Sequence, residues 1–239
     1  MKIALLGYGK MGKTIEKIAL NRGHKISLKA NQTPTSEELN AVDAAIDFSV
    51  PHAAFQNLSA CFKNQIPVAC GTTGWLNQYQ EAVELCKQHK AKFIYASNFS
   101  LGVNLFFELN ETLAKMMRKF EAYQVGMKEI HHTQKLDAPS GTAISLAEQI
   151  IENSNYNNWK HPAKNLAKNE LGIEAERIED VKGTHTITYT SEIDSIEITH
   201  KAHSREGFAL GAVLAAEWLA NKKEPGVYQM KDVLNTLKS

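Results

Sequence analysis

Ile3 to Leu6 form a short apolar run that meets Gly7-Tyr8-Gly9-Lys10-Met11-Gly12, after which Ile15, Ile18 and Ala19 return at helical spacing. The pattern predicts a strand, a glycine turn and a helix in succession. Further apolar runs predict strands over 24–28, 44–48, 67–70 and 92–96, with helices over 53–61 and 76–89. Pro51 falls at the first position of a helix, where its missing N–H costs nothing. Strands alternating with helices in this way predict a parallel sheet covered on both faces, an α/β arrangement whose ligands gather beyond the carboxyl ends of the strands. The loops at 7–12, 47–51, 71–74 and 96–100 all fall at that edge.

Beyond residue 98 the pattern changes. Apolar spacing predicts a helix over 103–119, a strand over 123–131 and a helix over 142–152. Residues 153–170 are rich in Asn and Lys with little periodicity and read as a surface excursion. Residues 184–190 and 191–199 alternate β-branched with polar side chains, as antiparallel strands do. Residues 208–219 are apolar at helical spacing, and Gly226 to Leu234 read as a short final helix. The expected organisation is an α/β domain over 1–98 plus 210–239 and an α+β domain over 99–209.

Composition narrows the function classes. The chain has 239 residues with 27 basic and 26 acidic side chains, a net charge of +1, so no global field draws it to nucleic acid or an anionic membrane. Cys61, Cys70 and Cys86 are odd in number and lack CxxC spacing, which argues for reduced thiols and a cytoplasmic setting. The first apolar run is broken by glycine too soon to be a signal peptide, and no later run approaches membrane-spanning length. A soluble protein is expected.

Two segments carry chemistry. The first is Gly7-x-Gly9-x-x-Gly12, placed directly after a strand and before a helix. Such glycines let the backbone turn tightly, approach a pyrophosphate and pack the helix on the sheet, so a Rossmann-like dinucleotide site is expected. The acidic residue that usually follows the second strand is replaced by Lys29-Ala30-Asn31-Gln32. Lys29 is open between a contact to a 2′-phosphate and a solvated lysine, Asn31 can bond a ribose hydroxyl, and NADH and NADPH both remain in play. The second segment runs from Glu129 to Thr142. His131 and His132 are of the type that titrates near neutrality, and Lys135 adds a fixed charge. Asp137-Ala-Pro-Ser140-Gly141-Thr142 reads as a turn opening a helix, with N–H groups suited to a carboxylate or phosphate. An anionic substrate that gains or loses protons follows from this segment.

The same segment resembles the signature of the dihydrodipicolinate reductase family of lysine biosynthesis. Supporting blocks lie in the family's order: the glycine loop, Ile46 to Ser49, Cys70 to Gly74, Ala96 to Asn104, and Ile198 to Arg205. The resemblance implies an enzyme that uses NADH and/or NADPH to reduce 4-hydroxy-tetrahydrodipicolinate to tetrahydrodipicolinate in lysine and diaminopimelate synthesis. It implies that His131 donates and accepts protons, Lys135 is a second acid, His132 contacts substrate, and Gly141 and Thr142 clamp a substrate carboxylate. Gly7, Tyr8, Gly9, Lys10, Met11 and Gly12, with Gly71, Thr72, Thr73, Ala96, Ser97, Asn98 and Phe99, would line the cofactor. The domain over 99–209 would then bind substrate and join copies into a homotetramer, and catalysis would need the two domains to close. There are departures. The family's glycine loop usually has one more residue and an arginine where Lys10 stands, and the connection over 31–42 is shorter than usual. The glycine-loop departure and the missing acidic residue after the second strand bear on cofactor preference, not on reaction class.

Other readings attach to particular residues. His132 is open between a substrate contact and a bond to a backbone carbonyl, and Arg205 between substrate and a pair with Glu206 or Glu217. His185, His200 and His203 are metal-like in number, but strand spacing and the lack of a nearby carboxylate cluster argue against coordination, so no metal is expected. Trp75, Trp159 and Trp218 read as packing or surface aromatics. Two rivals remain open: another two-domain NAD(P)-dependent oxidoreductase, such as an amino-acid dehydrogenase, and an NAD(P)H-sensing protein without turnover. The sensor would leave His131 and Lys135 without purpose.

Overall fold

The computed structural model describes residues 1–204 and 206–237, the side chain of Leu237 excepted. Arg205, a candidate substrate contact, lies outside the described residues. The chain divides into two compact units, one of 1–101 with 206 onward and one that begins at Gly102.

In the first unit the opening apolar run forms β1 (Lys2–Leu6), and the glycine turn leads into α1 (Lys10–Asn21). Then follow β2 (Lys25–Ala30), a short α2 (Ser36–Leu39), β3 (Ala44–Asp47), α3 (Pro51–Lys63), β4 (Val68–Cys70), α4 (Tyr79–Gln88) and β5 (Lys92–Tyr95). The six-stranded sheet runs β11-β5-β4-β3-β1-β2, where β11 is Gly226–Tyr228 near the chain's end. Every pairing in it is parallel, so the exits of β1, β3, β4 and β5 share one edge. Alternation along the strands builds two cores. Ile3, Leu5 and Ile46 pack with Ile15 and Ala19 of α1 and with Val213 and Leu219 of α7 (Glu206–Asn221), while Ala4 and Leu6 pack with Leu58 and Phe62 of α3 and Cys86 of α4. This is the doubly covered Rossmann-like sheet that the alternation implies. The three cysteines are buried free thiols, and burial raises all of them, Cys86 to about 11.

In the second unit α5 (Leu101–Met117) precedes β6 (Gln124–His131), α6 (Gly141–Glu152), β7 (Asn158–Lys160), β8 (Glu170–Arg177), β9 (Thr184–Thr190) and β10 (Ser195–Lys201). The five-stranded sheet has the order β10-β9-β6-β8-β7, with β9 antiparallel to both β10 and β6, and β8 parallel to β6 and β7. Phe106 and Ala114 of α5 and Leu146 and Ile150 of α6 pack on Val125, Met127, Ile173 and Ile187 of this sheet. No described helix is long and apolar enough to cross a membrane.

Two expectations are corrected, and the connection over 31–42 gains an element. Gly226–Tyr228 is a strand, with the last helix α8 confined to Met230–Leu237; pairing with the free edge of β5 decides three residues that periodicity cannot. The supposed excursion at 153–170 contains β7, whose Trp159 packs against the second unit's core. The connection after β2 carries α2, started by a capping box in which Thr35 accepts from the Glu38 N–H and Glu38 accepts from that of Thr35.

Candidate active site

The glycine loop sits at the carboxyl edge of the first sheet. Gly7 has φ +89°, and a Cβ there would lie 2.3 Å from the carbonyl oxygen of Phe48. A Cβ on Gly12 would lie 2.5 Å from the Gly7 carbonyl oxygen, whereas Gly9 faces open space. Helix α1 has Gly9 as its N-cap with no side-chain cap, so its first N–H groups are left to another acceptor. A bare, close-packed backbone ending in uncapped donors at a positive helix end fits a dinucleotide pyrophosphate.

Asp47 ties the neighbouring loops together. Buried at the end of β3, it accepts from the Thr72 hydroxyl at 2.5 Å, the Ser49 hydroxyl at 2.9 Å and the Asn57 amide at 2.8 Å. Burial raises its carboxyl despite these donors. Thr72 is therefore committed to Asp47, and the Phe99 ring, 5.8 Å from that of Phe48, is buried in the core. Their side chains are thus engaged in the fold, and any ligand contact from them would be through main chain. Thr73 and Ser97 are exposed, and Gly71, Ala96 and Asn98 half-buried, on the same edge.

Lys29 is partnered within its unit. Its Nζ lies 2.5 Å from Glu16 Oε1 and 4.8 Å from the centre of the Tyr8 ring, and the Tyr8 hydroxyl also donates to Glu16. Asn31 Oδ1 accepts the Tyr8 N–H at 2.9 Å, so it braces the glycine loop.

The second unit collects the acid and base groups. His131 is buried at the end of β6, and Glu129, two residues earlier on the same strand face, is almost fully buried. His131 Nδ1 is 3.3 Å from Glu129 Oε2, an ion-pair contact without the alignment of a hydrogen bond. His185 enters from β9, where it is the register partner of Glu129, and its ring meets that of His131 edge-on at 5.1 Å. Burial holds His185 below its ordinary value. Burial would raise the Glu129 carboxyl, but His131, His185 and Ser140 outweigh it and keep it ionised far below the usual carboxylate range.

Glu129 also reaches the predicted helix start. Its Oε1 accepts the Ser140 N–H at 3.0 Å, and Ser140 is the N-cap of α6, its hydroxyl accepting from Ala143 at 3.2 Å. Gly141 at the first position has open space where a side chain would be, and Thr142 is half-buried behind it. Lys135 lies on the intervening loop with Nζ 2.8 Å from Asp137 Oδ1, and His132 is half-buried beside His131.

Sequence reading missed Arg177, the register partner of His131 on β8. Its guanidinium donates to the carbonyl of Asp137 at 2.6 Å, that of Lys135 at 3.3 Å and Glu129 Oε1 at 3.3 Å. The alternation of Leu171, Ile173 and Ala175 was the available signal for its strand. Sequence reading also missed the one carboxylate beside His185, because strand register puts Glu129 opposite it. Ligand atoms of Glu129, His131 and His185 lie within 4.8 Å of one another, a spacing that could serve a metal. Arg177 beside the same carboxylate opposes a second cation. His200 packs elsewhere, its ring 5.9 Å from Phe106.

The family profile described as dihydrodipicolinate reductase, N-terminus, matches residues 1–99, and that for the C-terminus matches 102–234. The chain is 58% identical over 240 residues to the 4-hydroxy-tetrahydrodipicolinate reductase of Christiangramia forsetii, covering 99% of each chain. It is 37% identical over 213 residues to that of Methanocaldococcus jannaschii, covering 84% of this chain and 76% of the other. A solved dipicolinate-bound dihydrodipicolinate reductase from Paenisporosarcina shares the fold at a TM-score of 0.77 and 23% identity, covering 96% of this chain and 97% of that one.

Proposed function

The chain belongs to the dihydrodipicolinate reductase family, and from that premise we propose that His131 is its proton donor and that Lys135 and the first turn of α6 hold its substrate's carboxylates. The activity is the NAD(P)H-dependent reduction of 4-hydroxy-tetrahydrodipicolinate to tetrahydrodipicolinate in lysine and diaminopimelate biosynthesis. Loss of the 4-hydroxyl as water leaves a conjugated ring, and one hydride plus one proton then saturates one of its double bonds. NAD(P)H, when bound, supplies the hydride. Gly7 to Gly12, Gly71 to Thr73 and Ala96 to Phe99 are the residues that would hold it.

The chain's own residues handle charge and protons. Electron density left on the ring by the hydride is quenched by a proton from His131. Lys135, as an ammonium, attracts one carboxylate and stabilises developing negative charge, while the N–H groups of Gly141 and Thr142 at the start of α6 take the other, with His132 alongside. The observation that carries this reading is that the buried Glu129 carboxylate faces both His131 and the capped start of α6, with Lys135 on the loop between them. The dipicolinate bound by the Paenisporosarcina relative, a ring with two carboxylates, is of the same chemical class.

The compact units support a division of labour in which 1–98 plus 210–239 bind the nucleotide and 99–209 bind substrate and join copies into a cytoplasmic homotetramer. Ile193 and Ile196, exposed at and beside edge strand β10, support a joining surface there, which sedimentation would measure. The acid assignment is tested by His131→Gln, assayed by nicotinamide absorbance on freshly made dihydrodipicolinate synthase product. Turnover falls about a hundredfold or more with cofactor affinity unchanged. Unaltered turnover removes His131 from the mechanism.

A further inference from the structure

We propose that Glu129 is a positioning residue that locks His131 with its proton on Nδ1, directing Nε2 as the atom that exchanges protons with substrate, and that the same carboxylate couples this acid to the helix start that clamps the substrate. The inference rests on the assignment of His131 as the acid and adds what orients it.

Four observations meet at this carboxylate. Its two oxygens face different partners: Oε1 takes the Ser140 N–H at 3.0 Å, and Oε2 lies 3.3 Å from His131 Nδ1. An ionised carboxylate accepts and cannot donate, so the imidazole atom facing it is favoured as N–H. On the far side of the ring, Gly183 borders Nε2, where a Cβ would lie 3.2 Å away; the lack of a side chain leaves that nitrogen open. Nδ1 is thus held from within its own sheet and Nε2 faces a bare backbone.

His185 keeps the arrangement unambiguous. It packs edge-on against His131, lies 3.6 Å from Glu129 Oε2 through its Nε2, and shares a hydrogen bond of 3.2 Å with the Ser140 hydroxyl. Burial disfavours the charged form of His185. Glu129 Oε2, His131 Nδ1 and His185 Nδ1 are all buried without an aligned hydrogen bond. Unsatisfied polar atoms gathered at one point are costly in a structural core and are expected where geometry tightens on substrate binding. Arg177 shares Glu129 Oε1 with Ser140, so this fixed cation sits on the oxygen that does not face His131.

The test uses the full-length enzyme. Glu129→Gln retains an oxygen for the Ser140 N–H but loses the charge opposite Nδ1, so kcat falls roughly 100-fold, the order of acid–base assistance, while substrate KM and NADPH affinity change less than about threefold. Glu129→Asp restores part of the loss. In wild type labelled with ¹⁵N-histidine, the neutral His131 ring carries its proton on Nδ1, and Glu129→Gln gives a mixture of tautomers. A wild-type ring protonated on Nε2, or wild-type kcat in Glu129→Gln, overturns the proposal. The wild-type spectrum decides even where the variant fails to fold. If His131→Gln itself keeps full turnover, it is the assignment of the acid that falls; loss in His131→Gln with none in Glu129→Gln rejects only the positioning role.

Discussion

Arg177 donates from Nη2 to the carbonyl oxygen of Asp137 at 2.6 Å, and so β8 holds the loop that carries Lys135. The same guanidinium reaches the Lys135 carbonyl and the buried Glu129 carboxylate, which a lysine could not do from one position. Replacing Arg177 with Lys should therefore loosen the loop and leave Glu129 short of a partner. The expected cost is roughly 2 kcal/mol of stability, the usual worth of a hydrogen bond to a charged group, with substrate KM raised about tenfold. Urea unfolding and steady-state kinetics measure both, and an unchanged KM would show that the loop does not depend on this staple.

How much of this was legible depends on whether the information is local. β1, β3, β4 and β5 are short apolar runs, β1 and β4 directly bounded by glycine or proline, and each was readable from a few neighbouring residues. β7 and β11 have three residues apiece, too few for a period, and exist because an edge strand offers a partner. The site divides in the same way. His131, Lys135 and Ser140 lie within ten residues of one another and declare themselves as histidine, lysine and helix cap. Glu129 gains its meaning from His185 and Arg177, which come beside it through the register of β6 with β9 and β8. Nothing in the local sequence encodes that register.

Lys135 and Asp137 predict kinetic effects of opposite sign. The ammonium is 2.8 Å from Asp137 Oδ1, with the lysine side chain 22% exposed and that of Asp137 59% exposed, so a substrate carboxylate must compete with a partner that water also solvates. Lys135→Ala should lower kcat/KM by about 10- to 100-fold, the loss of one charge-assisted hydrogen bond. Asp137→Asn should lower KM, because it removes the competitor and keeps the turn. A substrate dissociation constant unchanged in Lys135→Ala would contradict the carboxylate contact.

If Lys29 meets a 2′-phosphate, Glu16 should shape cofactor preference as much as Lys29 does. The lysine is paired with Glu16 and lies over the Tyr8 ring, so an incoming 2′-phosphate would meet a cation already neutralised. Glu16→Gln frees that charge. The ratio of NADPH to NADH affinity should rise about threefold, the modest scale of a solvent-exposed pair, and should fall in Lys29→Ala. Fluorescence titration with each nucleotide measures it, and equal changes for both would place the 2′-phosphate away from Lys29.

Acid stability should depend on Glu217. This α7 carboxylate receives Arg22 in a two-pronged pair, Nε to Oε1 at 2.7 Å and Nη2 to Oε2 at 2.8 Å, and His24 Nε2 lies 2.6 Å from Oε1. Burial would raise the carboxyl, but the hydrogen bonds from Arg22 and His24 outweigh it, and the folded value lies below the ordinary one. A carboxylate depressed by folding adds stability at pH above its unfolded value and loses it as pH falls through the folded value, because the unfolded chain binds the proton first. With the side chain 21% exposed, the contribution is about 1 kcal/mol after solvent screening. Wild type should thus lose more stability than Glu217→Gln as pH drops from neutrality to below the ordinary glutamate range, and the two urea midpoints should converge there. Parallel lines at every pH would mean that the tie between α1 and α7 is indifferent to this charge.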